Sequence, residues 1–400
     1  MADGPIERDM NYSNAIGFLF VFNLIVGTGA LALPKAFQTA GYVLSIAITV
    51  ISSIISYICA TFVVESMAIA NAAKLHARCR RGEPISSSTD DNNPYLIRQR
   101  IEVSEMARIF LGRTGLMASY ATLTVYLFGD LSIYSTTVPK SIMNIICSSV
   151  NASSQAWDQE CHSGWPLMLN RINVYRLIVV LFALFVTPLV LVGVTRTKYL
   201  QFSTSLCRWL AFILMIFLAS LSLIRDGAEG SPAIADFNGF GSLFGTTVYA
   251  FMCQHSLPAI ITPMRRTDEE GRLLEDYDEG EAPVSVTSSE ARRDETTHHE
   301  WRRRVILAAV IAFPTLIALA TDDVLMLASL TGSYPGVGVQ FVIPSLLVVY
   351  ARRYSKQELG TTVPPSASSP FSGMIWPWVM FIWATFTTLM VTLNLYHFSY

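Results

Sequence analysis

The side chains able to do chemistry sit inside apolar stretches. Between Phe22 and Pro34, two glycines, Gly27 and Gly29, flank the hydroxyl of Thr28; the Asn23 carboxamide comes just before them and a proline just after. Glycine loosens the backbone and proline removes an amide donor, so this stretch can unwind. A second stretch runs Cys253, Gln254, His255, Ser256, Leu257, Pro258, four polar or weakly polar residues ahead of a helix breaker. A third, Leu330 to Gly338, contains Thr331, Ser333, Pro335 and three glycines. Unwound backbone at membrane depth presents carbonyls to a cation and a half-helix N-terminus to an anion, and a zwitterion satisfies both. The expected substrate-binding residues are Asn23, Gly27, Thr28, Gly29, Cys253, Gln254, Ser256 and Thr331. The structural alternative is that the small residues serve close helix packing and kinking.

Two ionisable groups within spans are candidates for ion coupling. Asp130 is a proton or cation carboxylate, or else a structural partner of a nearby cation such as Lys140. His255 can titrate between about pH 5 and 8, which suits proton coupling; a neutral histidine capping a broken helix is the other reading. Glu65 is expected at the membrane interface, and Asp322 and Asp323 at an outer turn. No catalytic or metal-binding constellation is found: His298, His299 and Glu300 lack helical spacing, and Cys59, Cys79, Cys207 and Cys253 lack ligand spacing. Neither an enzyme nor a cofactor is expected.

The elements that must hold these residues are membrane helices. Hydrophobic residues make up 52% of the chain and charged ones 14%, with a mean hydropathy of +0.42, so lipid is the expected solvent. A net charge of -2 with no continuous basic patch argues against nucleic acid. A helix crosses about 30 Å of hydrocarbon with roughly 20 apolar residues. Nine stretches qualify, near 14 to 40, 42 to 70, 116 to 138, 175 to 194, 203 to 224, 239 to 262, 304 to 320, 324 to 350 and 374 to 396. The fold class is an all-α polytopic membrane protein. Its expected division is an N-terminal bundle of six spans over 1–262, an acidic disordered loop over 263–303 and a C-terminal bundle of three spans over 304–400.

With the N-terminus cytosolic, all lysines and arginines but Lys35, Lys140, Arg171, Arg176 and Arg225 fall in inner segments, which fixes orientation by the positive-inside rule. The outer loop over 139–174 contains a glycosylation acceptor at Asn151 and two cysteines, Cys147 and Cys161, able to close a short disulfide. Both chemistries belong outside the cytosol.

Two polar interruptions, 71–100 and 263–303, read as disordered cytosolic segments, the first within an inner loop over 71–114. Glu269, Glu270, Leu273 and Leu274 form an acidic dileucine pattern that would engage a sorting adaptor and direct the protein to endolysosomes rather than the plasma membrane; a solvated linker with incidental leucines is the plainer reading. Glu102 to Leu111 is amphipathic, with Val103, Met106, Ile109 and Phe110 on one face, and is expected at the inner surface.

The run from Asn23 to Pro34 followed by Ala40 and Gly41, the run from Cys253 to Pro258, and Leu330 to Ser333 with Phe341 to Pro344 together resemble the amino acid/auxin permease family. The resemblance implies a LeuT-like inverted-repeat helical bundle of eleven spans, with Asn23 and Thr28 lining a substrate site. It implies transport of small zwitterionic amino acids with H+ or Na+. After Thr262 the family's pattern continues into two further spans, whereas this chain enters polar sequence and resumes at what resembles the family's ninth span. Two of the eleven spans are thus missing, which removes part of the sodium site seen in sodium-coupled members. A shortened isoform with impaired transport, or a membrane sensor or scaffold that does not transport, is the alternative.

Overall fold

A computed structural model describes residues 14–82, 94–147, 161–162, 170–192, 197–227, 233–262 and 292–398. Asn151, Glu269, Leu273 and Leu274 lie outside the described residues. Every long element among the described residues is a helix, as apolar stretches in lipid require, because each backbone polar group must find its partner within the segment. Among the described residues, six helices are long and apolar enough to cross a membrane, or seven if one bent pair counts as a single span, and Val305–Ala320 is a shorter apolar helix. The bent pair is α1 (Asn14–Ile25) with α2 (Thr28–Ala40), turned by 44° at the glycine-rich break.

Gly41 ends α2 with φ 83°, and a side chain there would collide with the carbonyl of Ala233. This tight corner feeds α3 (Tyr42–Arg80), and the segment after Pro232 ties to it through Tyr42 N–H to Ala233 O at 3.2 Å and Asp236 N–H to Ala40 O at 2.8 Å. α3 runs well past the expected span end at residue 70. Alanine-rich sequence favours the extension, and Arg78 and Arg80 in its last turn complement the helix dipole. The segment 94–100, expected to be disordered, is held in place: the buried Asn71 accepts from Gln99 N–H at 2.9 Å and Arg98 N–H at 3.1 Å.

α4 (Val103–Ile146) contains a non-helical residue, Gly112, with φ 68°. The amphipathic stretch before it keeps its apolar face against protein, with Val103, Met106 and Phe110 buried and Phe110 edge-on to Tyr354. Farther along come α5 (Arg171–Val192), α6 (Thr197–Asp226), a 3-10 turn at Phe237–Gly239, α7 (Phe240–Ala250) and α8 (Leu257–Ile261). α9 (Arg292–Ala320) already begins inside the stretch expected to be disordered up to 303. α10 (Val324–Thr331) leads through two π-helical stretches, Gly332–Gly336 and Gly338–Val342, into α11 (Ile343–Tyr354); α12 (Ile375–Phe398) follows.

By packing, the chain falls into two compact units. One holds 1–126, 232–277 and 329–400; the other holds 127–231 and 278–328. The first unit is built around α7, which contacts α2, α3, α12 and the first π stretch. Its core includes Phe62, Met67, Leu243, Phe244 and Phe341. In the second unit Met143, Val174, Ile178, Val179 and Ala318 pack around the disulfide joining Cys147 to Cys161. Leu210, Ile213 and Phe217 of α6 are exposed, an apolar surface that needs lipid or a partner helix.

Candidate functional site

The first break is short. Val26 N–H still reaches Phe22 O at 2.8 Å, but Gly27 N–H turns to Ile25 O at 3.0 Å and Gly27 itself is extended, with φ -119° and ψ -151°. α2 restarts at Thr28, whose side chain lies outside the described part of the structure. Asn23 is half-buried on the last turn before the break.

The second break, Phe251 to Ser256, is longer and has its own hydrogen-bond accounting. Gln254, 1% exposed, folds its Oε1 back onto Cys253 N–H at 3.0 Å. Its Nε2 donates to Ser56 Oγ at 3.0 Å and Ser56 O at 3.2 Å, and Ser56 Oγ donates to Phe251 O at 3.1 Å. One serine on α3 thus meets the Phe251 carbonyl directly and holds the Gln254 side chain that meets Cys253 N–H, as buried backbone requires. α8 then starts with Pro258 in its first turn, where no amide donor is needed. Cys253 is buried, Ser256 and His255 are half-buried, and the His255 ring stands edge-on to Tyr126 at 5.5 Å.

The two broken helices pair crosswise: α1 packs on α8, and α2 packs on α7. The second contact is tight, because a side chain at Gly29 would fall 2.6 Å from the Cα of Ala250. Both breaks are therefore held beside each other in one unit, bringing Asn23, Gly27, Gly29, Cys253, Gln254, His255 and Ser256 into one region. Thr331 is buried where α10 meets the first π stretch, which packs on α7. Asp130 belongs to the other unit. In that unit Lys140 donates to Asp322 Oδ2 and Asp322 O, each at 2.8 Å.

Residues 10–274 match the family model described as transmembrane amino acid transporter protein. The chain belongs to the transmembrane amino acid transporter family. It is 40% identical to the transmembrane protein 104 homolog of Caenorhabditis elegans over 476 positions, covering 96% of each chain. It is 32% identical to transmembrane protein 104 of Homo sapiens over 491 positions, covering 99% of each, and 31% identical to the Drosophila melanogaster homolog over 501 positions. No solved structure matches. An alignment of 476 positions over a chain of 400 residues leaves no fewer than 76 positions where the worm relative has residues and this family member has none. That difference is enough for two spans of roughly 20 residues each and their connections.

This family member also carries a buried ion pair that sequence reasoning missed. Glu65, expected at the interface, is 2% exposed; its carboxylate accepts from Arg352 Nη2 at 2.6 Å, Arg352 Nε at 2.7 Å and Ser369 N–H at 3.0 Å. Arg352 also donates to the Ser372 and Phe371 carbonyls, which straps the segment before α12 across α3 and α11. Beside the pair lies a cavity of about 450 Å³, lined by Tyr57, Thr61, Tyr95, Leu257 and Pro370 among others. Leu257 opens α8, so the cavity adjoins the second break. The signal for the pair was an acid in an apolar span and an arginine after another, but their pairing depends on the register of α3 against α11.

Proposed function

We propose that this protein is a secondary active transporter of small amino acids, coupled to protons or sodium, working by alternating access around the broken helices. The crosswise pairing of α1 with α8 and α2 with α7 carries this reading. Two half-helices that end beside each other supply an amide-rich terminus for a carboxylate and unwound carbonyls for an ammonium group. Asn23, Thr28 and the break from Cys253 to Ser256 are the proposed substrate contacts. His255 and Asp130 are the proposed coupling groups, His255 at the break itself. The proposed architecture is a LeuT-like inverted repeat with nine spans, a cytosolic N-terminus and residence in endolysosomal or plasma membranes, where Glu269, Leu273 and Leu274 would meet a sorting adaptor.

Uptake of labelled small amino acids into proteoliposomes tests the reading, with Asn23→Ala and Thr28→Ala expected to lower it at least tenfold. Sodium-free and pH-gradient conditions assign the coupling ion. Flux unaffected by both substitutions would remove these residues from the site.

One observation favours a second reading, a membrane sensor or scaffold that binds without transporting. The positions missing relative to the worm protein, together with the exposed apolar surface of α6, fit a bundle that lacks part of its wall. Saturable binding without flux would select it.

A further inference from the structure

The span that continues from α10 holds a polar side chain with no counterpart among the described residues. Gln340, in the second π stretch, is fully buried, and neither its Oε1 nor its Nε2 has a hydrogen-bond partner among the described residues. A carboxamide removed from water and left unmet is costly, and its persistence points to a guest that meets it. π-Helical stretches within α-helices are themselves frequent at functional sites.

Register brings Gln340 level with the second break, on a stretch that packs on α12 and α3. The first π stretch runs parallel to α7: a side chain at Gly332 would meet Gly245 and Tyr249, and one at Gly336 would meet Val248 and Met252. Gln340 follows Gly336 by about one helical turn on the same face, which brings it level with the unwound segment after Met252. The α3 side agrees. Gln340 lies as far before Arg352 as Ser53 lies before Glu65, and Arg352 and Glu65 are paired while the second π stretch packs on α3. That level is bracketed by Ser56, which holds the break, and Ser52, fully buried and likewise without a partner among the described residues.

We infer that Gln340, with Ser52, determines the specificity of the proposed substrate site by forming a neutral polar subsite for a substrate side chain that both donates and accepts hydrogen bonds. The chemical class is a hydroxyl or carboxamide amino acid. An amide offers two donors and one acceptor, and a hydroxyl adds both functions, so apolar side chains of equal size leave these groups unmet. The inference rests on the transporter reading above and deepens it.

The test is ligand-induced thermal stabilisation of the full-length protein in detergent, with uptake in proteoliposomes. Serine, threonine, asparagine and glutamine are compared with alanine, valine and leucine. Gln340→Met, which keeps the volume and removes the polar atoms, is expected to weaken the hydroxyl and carboxamide set at least tenfold and leave the apolar set within about twofold. Ser52→Ala should act in the same direction with a smaller effect, and serves if Gln340→Met fails to fold. Equal responses of the wild type to both sets, or equal losses in both variants, would overturn the inference alone. So would a Gln340→Met protein that is more heat-stable with unchanged selectivity, which would make the site a hydration pocket. A wild type that responds to no amino acid would remove the transporter reading, and this inference with it.

Discussion

Arg352 meets Glu65 at two points, Nε to Oε1 at 2.7 Å and Nη2 to Oε2 at 2.6 Å, inside a helical bundle where Glu65 is only 2% exposed. Such a pair recovers its desolvation only through good geometry and further hydrogen bonds, and both are present here, from Ser369 N–H and to the Ser372 and Phe371 carbonyls. Breaking it from one side leaves a charge without its partner. Glu65→Ala is expected to cost about 3–5 kcal/mol, whereas Glu65→Leu with Arg352→Met should lie near the wild type. Unfolding in mixed micelles measures both, and a double variant as weak as the single one would refute the argument.

Ser56 and Gln254 should behave as one unit. Either residue alone leaves the other, and the backbone of the break, with unmet polar atoms, so Ser56→Ala and Gln254→Ala are expected to be less than additive. Interhelical hydrogen bonds in membranes couple by roughly 0.6 kcal/mol on average and up to about 1.7. This bond set should approach the upper figure, because it meets two backbone groups of the unwound segment, Phe251 O directly and Cys253 N–H through Gln254. A double-mutant cycle reads the coupling directly, and strict additivity would mean that the break holds its shape without α3.

These residues also show what the sequence could and could not reveal. The breaks at Gly27 and at Cys253 to Ser256 were legible because glycine and proline act locally on their own backbone. Ser56 was not, since its partner Gln254 is 198 positions away and nothing in an apolar span marks one serine among several. Glu65 looked interfacial because hydropathy falls near residue 70. The helix continues to Arg80, however, and it stays buried in protein from Glu65 to Ala73, a tertiary fact. Arg352 was read as a topology signal for the same reason. Asn71, in a stretch that composition marks as disordered, clamps the backbone at Arg98 and Gln99 because α3 continues far enough to reach it.

Gly245 and Gly332 let α7 and the first π stretch touch backbone to backbone, and a side chain built at Gly332 would overlap the Gly245 carbonyl. Since the obstacle is main chain, it cannot rotate aside. Gly332→Ala is expected to destabilise by about 1–3 kcal/mol or more and to lower the yield of folded protein. Gly373→Ala, where the nearest atom is an ordinary 3.7 Å away on Trp376, should change neither. Equal effects of the two substitutions would mean that the contact between α7 and the π stretch is looser than described.

The disulfide in the second unit gives a count that chemistry can check. Of the six cysteines, Cys147 and Cys161 are bridged, and Cys59, Cys79, Cys207 and Cys253 are thiols. Alkylation of the denatured, unreduced protein with a mass-tagged maleimide should add four tags, and prior reduction should raise the number to six. The bridge closes a loop of about 15 residues, for which chain entropy gives a stabilisation of about 3 kcal/mol. Cys147→Ser should therefore lower stability by about that amount. Its effect should fall first on the core of Met143, Val174, Tyr175 and Ala318 that packs around the bridge, where the Tyr175 hydroxyl donates to Ala318 O at 2.8 Å. Hydrogen exchange along α5 and the end of α9 resolves the location. Six tags before reduction would show that the two thiols remain unbridged in the cell, and would also remove the support that an oxidising compartment lends to the orientation of this loop.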